Sequence, residues 1–314
     1  MKGDAADQVP SATTVRDGHL DVARLPDFSV VIATLGGPTL SETVECLLAS
    51  ECTPREILIC IPEQERSRVD GLQAVPRVRI ISTRARGQVV QRAAGFAEAT
   101  GELVLQCDDD VSFPPSVIGS LIGSLVALGR RHVVGPVFCC STSRAPLGHF
   151  AIGLRGSFAN LYFHLAAGLP WGKGRLGRFS STTCAISVDP AHVDGAVVDV
   201  DWLAGGFVLG WKEDLIGVDF YPFPGKAYCE DLLHARERAR MGLAHHVVIP
   251  ARVFIEAPPE NPDIAELKRE LLARYRISRR IGASAGAAAT FLLLEGIRRL
   301  VKATLRGVRP SKRP

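Results

Sequence analysis

A mostly parallel α/β sheet with helices on both faces is predicted by three observations. Apolar runs of strand length alternate with amphipathic segments of helical period from Phe28 to Phe138, the pattern of successive βαβ units. The runs are apolar at consecutive positions, as in strands buried on both faces. One of them, Glu102 to Cys107, ends in three carboxylates, Asp108, Asp109 and Asp110. Open α/β sheets bind ligands beyond the carboxyl ends of their strands.

Phe28 to Thr34 reads as the first strand, and Gly36-Gly37-Pro38 as the turn after it. Thr39 leads a helix with apolar positions at Leu40, Val44, Leu47 and Leu48. Glu56 to Ile61 and Val78 to Ile81 are strands two and three. Gly87 to Ala99 is a helix that Thr100-Gly101 ends, and the acid-tipped strand follows. Pro114-Pro115 opens a helix over Ser116 to Leu128, and His132 to Phe138 is the fifth strand. Between Ser141 and Arg178 the periodicity weakens into glycine-rich, basic loops, with one short helix expected near Phe158 to Ala167. Thr182 to Val188 is a further strand candidate. Val197 to Leu209 carries Asp201-Trp202-Leu203-Ala204-Gly205-Gly206. Glu230 to Met241 is a helix capped by Gly242, and His246 to Ile249 and Arg252 to Ile255 are short strands.

The chain has 314 residues, 46% hydrophobic and 22% charged, enough for a sizeable core. A net charge of +4 gives no reason to expect a nucleic-acid partner. The eight cysteines include no C-x-x-C pair, so they read as reduced core residues of a cytoplasmic protein. Residues 1–26 read as a disordered leader, 27–257 as the α/β domain and 258–314 as a C-terminal helical extension. In that extension Asp263 to Arg280 is a charged helix, Ile281 to Leu294 is apolar and small, and a basic run follows Glu295. The apolar piece is too short to span a membrane, but it suits peripheral contact with a bilayer or packing on protein.

Three adjacent carboxylates repel one another. Water offsets that repulsion in an exposed turn; in a cleft a hard divalent cation does so, sharing its shell with substrate phosphates. Asp110 is the first candidate for a direct ligand, Asp108 for the metal shell, and Asp109 lies between them. Asp231, beside Glu230 at a helix start, is a candidate general base, although a carboxylate there also favours the helix dipole. Trp202 either stacks on a ligand or fills the core, Asp201 is a candidate for substrate hydroxyls, and the basic Arg175–Arg178 loop is a candidate to close over an anionic ligand.

The order of these motifs resembles family-two glycosyltransferases of the GT-A fold. Val30-Val31-Ile32-Ala33-Thr34 is similar to the family's opening strand, and Gly87 to Gly95 to its glycine–arginine–asparagine–glycine helix, with Arg92 on the arginine and Ala93 in place of the asparagine. Asp108-Asp109-Asp110 resembles the D-x-D motif, Trp202 to Gly206 the W-x-x-G-G segment, and Glu230-Asp231 the E-D pair. The resemblance covers about Phe28 to Glu256. It implies an inverting transferase that uses a nucleotide-diphosphate sugar and Mn²⁺ or Mg²⁺, with a glycan or lipid-linked acceptor. It implies donor contacts at Thr34, Glu63, Arg92, Asp108, Asp109, Gly205 and Gly206, and acceptor contacts at Asp201 and Trp202. Asp108 and Asp110 would be metal ligands, with Glu256 standing where many members have a metal-binding histidine; Glu63 stands where members often have an aspartate that touches the base. Asp231, with Glu230 beside it, would be catalytic. Two alternatives share the architecture. A sugar-nucleotide pyrophosphorylase needs an arginine in its first glycine-rich loop, which Thr34 to Pro38 lacks; a non-catalytic scaffold would not need the acids.

Overall fold

Eight strands form one sheet in the order β3-β2-β1-β4-β7-β5-β8-β6 in the computed structural model of the chain. The structure describes residues 25–148, 160–215, 221, 226–256 and 264–307, with side chains as far as residue 299. Most of the expected leader and the expected boundary at Pro258-Pro259 lie outside the described residues.

The strands are β1 (Phe28–Ala33), β2 (Glu56–Pro62), β3 (Val78–Thr83), β4 (Leu103–Cys107), β5 (His132–Cys140), β6 (Val197–Val200), β7 (Phe207–Trp211) and β8 (Ala244–Ile255). Strands β1, β2, β3 and β4 run parallel, and β5 runs parallel to β8. Strand β7 is antiparallel to both β4 and β5, so its amino end meets the carboxyl end of β4, with Phe207 opposite Cys107. That reversal carries the Gly205-Gly206 pair to the edge where Asp108 emerges.

Helices α1 (Leu40–Leu48) and α3 (Val117–Leu128) cover one face, and α2 (Gln88–Glu98) covers the other. Consecutive residues of β1 therefore serve different cores: Val30 and Ile32 pack towards α1 and α3, Val31 towards α2, and all three are fully buried. Each such side chain contributes on the order of 1.5–3 kcal/mol. Gly95 lets α2 lie against the strands, since a Cβ there would come within 2.4 Å of Val31 and 2.7 Å of Cys60.

Two expectations change. Thr182 to Val188 is not a strand; Thr183 has φ 64°, which breaks the extended run, and only an isolated bridge joins Phe179 to Ala185. The two short strands after His245 are one, β8, whose register against β5 skips from Val248 to Arg252. Pro250 lies in the skip, where its missing N–H is no loss to the ladder. The short helix expected near Phe158 to Ala167 is present within the described residues: Asn160 and Leu161 are α-helical and Tyr162–Ala166 continues as a π-helical turn.

Helix α4 (Glu230–Arg240) follows Cys229, whose φ of 60° costs on the order of 1–2 kcal/mol in a residue with a Cβ. Helices α5 (Ile264–Arg280) and α6 (Ala285–Gly307) pack on each other and on the body. Glu270 receives Arg274 at 2.7 Å and Arg299 at 2.9 Å, and Glu295 receives Arg298 at 2.6 Å and Arg299 at 2.9 Å. Among the described residues no helix is long and apolar enough to cross a membrane.

Candidate active site

Because β1, β2 and β4 are parallel, Thr34, Glu63 and Asp108 leave the sheet at one edge. Beyond Asp110 the chain crosses that edge to β8, where Ser112 and Phe254 exchange backbone hydrogen bonds at 3.0 and 2.8 Å. This brings Asp110 towards Glu256.

Arg92 joins the motifs. It is 1% exposed, donates to Asp108 Oδ1 at 2.5 Å through Nη2 and to Glu230 Oε1 at 3.1 Å through Nη1. A buried guanidinium must be paired, because an isolated charge removed from water is strongly disfavoured. Burial alone would lower its pKa; the carboxylates of Asp108 and Glu230 outweigh that and raise it. Arg92 thereby ties the acid-tipped strand to the first turn of α4. The glycines of the W-x-x-G-G segment leave room for this bridge. A Cβ on Gly206 would lie 2.8 Å from Asp108 Oδ2, and one on Gly205 would lie 3.2 Å from Glu230 Oε1 and 3.5 Å from Arg92 Nη1.

The three acids have different surroundings. Asp108 accepts from Arg92 and, at 3.2 Å, from Gln88. Asp109 accepts from the Thr34 hydroxyl and so faces β1; burial pushes its pKa up against that hydrogen bond. Among the described residues Asp110 meets no side-chain donor. Burial and the neighbouring Asp108 and Asp109 push it up to about 6, with Glu256 adding to the effect. Among the described residues no three His, Cys, Asp or Glu side chains stand together as a preformed metal cluster. Glu256 is exposed at the end of β8, close enough to Asp110 to act on its charge.

Asp108 and Asp110 line a cleft of about 370 Å³, with Phe138, Trp202 and Gly206. A second cavity, about 290 Å³, is lined by Glu230, Asp231, Cys229, Arg274, Phe291 and Arg298. The two share Gly148, Ser187 and Trp202. Trp202 is thus a partition between cavities, fixed by its indole N–H donating to Ile186 O at 3.3 Å. In the second cavity burial, and then the charge of Glu230, push Asp231 up to about 7. Burial also raises Glu230, against Arg92. The helix dipole would favour the ionised forms, so desolvation is the stronger influence here.

Asp201 is not brought into either cavity. It pairs with Arg178 at 2.6 Å and lines a third cavity beside His132 and Arg236. Trp202 lines the cleft while its neighbour Asp201 is turned to Arg178. The basic loop is anchored as well: Arg175 is buried and bonded to Asn160, and Arg178 is held by Asp201. Glu63 is exposed at the end of β2.

Sequence reasoning missed three glutamines. Gln91, 2% exposed, donates to Thr34 O at 2.7 Å and Cys60 O at 2.6 Å, fixing the β1 end. Gln88 holds Asp108, and Gln106 donates to Gly205 O. A signal existed: Gln88, Gln91 and Arg92 share one face of α2, and Gln106 is the polar residue in an apolar strand.

Residues 29–182 match the model of glycosyl transferase family 2. No curated protein matches the sequence. Glucosyl-3-phosphoglycerate synthase from Mycobacterium tuberculosis, solved with Mn²⁺, UDP and phosphoglyceric acid, aligns with a TM-score of 0.52 at 16% identity over 88% of each chain. TarS of S. aureus, solved with UDP-GlcNAc, gives 0.52 at 13% identity over 85% of this chain and 71% of its own. GalNAc-T7, solved with UDP, GalNAc and Mn²⁺, gives 0.53 at 15% identity over 76% of this chain, which spans 45% of the GalNAc-T7 chain. At these identities the likeness establishes a shared GT-A fold. Residues 29–182 are thus similar to glycosyl transferase family 2, on a chain that shares the GT-A fold.

Proposed function

We propose that the chain transfers a sugar from a nucleotide-diphosphate sugar to an acceptor hydroxyl, with inversion at the anomeric carbon. One observation carries this reading: a cleft lined by two metal-type carboxylates and a cavity lined by a carboxylate with a pKa near 7 share a wall at Trp202. The donor belongs in the first and the acceptor in the second. We read the donor sugar as a hexose or a related sugar. We read the acceptor as a glycan, glycolipid or polysaccharide of the cell envelope, met at the cytoplasmic face of the membrane.

A divalent cation, Mn²⁺ or Mg²⁺, fits the cleft. The donor set is wholly hard carboxylate oxygen, and Asp110 carries repulsion from Asp108 and Asp109 that a cation would offset. Two protein carboxylates with substrate phosphates are the usual arrangement for such ions. Bound there, the cation would neutralise charge on the departing diphosphate.

Asp231 takes the proton from the acceptor hydroxyl as its oxygen attacks the anomeric carbon. The bond from that carbon to the diphosphate oxygen breaks, and its electron pair leaves with the diphosphate. Burial, and then the charge of Glu230, keep Asp231 basic enough to accept a proton near neutral pH. Arg92 fixes Asp108 and Glu230 relative to each other, and so sets donor against base. The test is consumption of a panel of nucleotide sugars with and without Mn²⁺, with the product's anomeric configuration read by NMR. Mn²⁺-dependent consumption with inversion is expected; retention would overturn the single displacement, and no consumption of any donor would overturn the transferase reading.

A further inference from the structure

We propose that the outer face formed by the Tyr162–Ala166 turn, Trp171 and α6 docks on an anionic lipid bilayer and sets the cavity of Asp231 beside the lipid surface. Nine large apolar side chains are exposed among the described residues, and six of them lie here: Leu161 (45%), Leu165 (71%), Trp171 (55%), Leu293 (66%), Leu294 (38%) and Ile297 (48%). A scattered apolar residue on a surface is ordinary, whereas a concentration of them marks an interaction site.

The two segments are neighbours. The rings of Tyr162 and Phe291 are 6.3 Å apart, and the Tyr162 hydroxyl donates to Glu295 Oε2 at 3.2 Å. His164 and Trp171 meet edge to face at 5.9 Å. On α6 the inward residues Ala288, Phe291 and Leu292 are buried, so Leu293, Leu294 and Ile297 form its outward side.

Charge selects the occupant. Beyond Arg298 and Arg299, which are paired with Glu295 and Glu270, residues 300–314 hold five Lys or Arg and no Asp or Glu. A cationic segment continuing an apolar helix face is attracted to anionic headgroups while the apolar side chains enter the boundary. Tryptophan is enriched at that depth. The helix would lie in the interface, since none among the described residues can cross it. The opposite side of the same platform, through Phe163, Phe291 and Arg298, lines the cavity that holds Asp231. That the cavity receives an acceptor rests on the transferase reading; the docking does not.

Flotation of the full chain with phosphatidylcholine vesicles, with and without phosphatidylglycerol, at low and high salt tests this. The chain is expected to float with the anionic vesicles and to be released by salt. Leu293→Glu with Ile297→Glu, and separately Leu165→Glu with Trp171→Glu, should each weaken binding about a hundredfold by removing two inserted apolar side chains. Their melting temperatures should not change. Failure of the wild type to float overturns the proposal, as does flotation of both double variants at the wild-type level. A dimer in light scattering that Leu293→Glu with Ile297→Glu converts to monomer would also overturn it, assigning the face to a second copy. Nucleotide-sugar consumption without vesicles, measured on the same variants, separates a failure of docking from a failure of the transferase reading.

Discussion

The two cavities that meet at Trp202 are built in different ways. The cleft of Asp108 and Asp110 stands on strand ends, and each of its acids is placed by a rigid element buried on both faces. The cavity of Asp231 is closed by α5 and α6, whose residues lie beyond the 29–182 segment that matches the family. Its wall is held by ion pairs among Glu270, Glu295, Arg274, Arg298 and Arg299. On the transferase reading proposed above, strand ends place the charges that any donor diphosphate requires. Packed helices are free to vary with the acceptor, so specificity is expected to reside in the helical wall.

The largest expected effect falls on the acceptor side. Asp231→Asn should lower turnover by about 10²–10⁴-fold, the usual worth of a positioned base, while donor affinity is kept. Steady-state kinetics beside a donor-binding titration checks it; normal turnover would move the base elsewhere. On the donor side, Asp110→Ala should abolish the Mn²⁺-dependent part of donor binding and leave the melting temperature unchanged, which calorimetry with and without Mn²⁺ reads directly.

Arg92 belongs to both sides, and Arg92→Met tests whether they are coupled. Removing one partner of a buried pair costs about 3–5 kcal/mol, because Asp108 and Glu230 would be left uncompensated. Urea denaturation measures the loss. Stability unaffected by the substitution would show that the two cavities are assembled independently.

The helical wall has its own pH signature. Burial would raise the pKa of Glu295, but its hydrogen bonds from Arg298 and Arg299 dominate and bring it down to about 2. A carboxylate lowered in the folded state stabilises above its unfolded value of 4.5, and that stability is lost as pH falls towards 2. The contribution is about 3 kcal/mol. Thermal melts over that range should show an acid limb that Glu295→Gln flattens. The base moves the other way in function: activity should rise with pH through about 7 as Asp231 loses its proton. The smallest expected effect is Asp201→Asn, which should leave acceptor KM unchanged and stability within about 0.5 kcal/mol, since Asp201 meets only a half-exposed Arg178.

Local sequence determined the elements and most of the edge where chemistry collects. Consecutive apolar residues specify strands buried on both faces, and a strand followed by carboxylates puts acid at a sheet edge wherever that strand is placed. The same reasoning located Glu230 and Asp231 at a helix start and the long helices after residue 263. Only the tertiary structure decided which of these groups face one another. Arg92 and Glu230 are 138 positions apart, and no periodicity relates them; their pairing follows from desolvation, which leaves a buried guanidinium no alternative to nearby carboxylates. Desolvation likewise raised Asp231 to about 7 by enclosing it beside Glu230. Asp201 and Trp202 are adjacent in the sequence with equal claims to a substrate, and the direction of the β6–β7 connection gave the cleft to one and a surface arginine to the other.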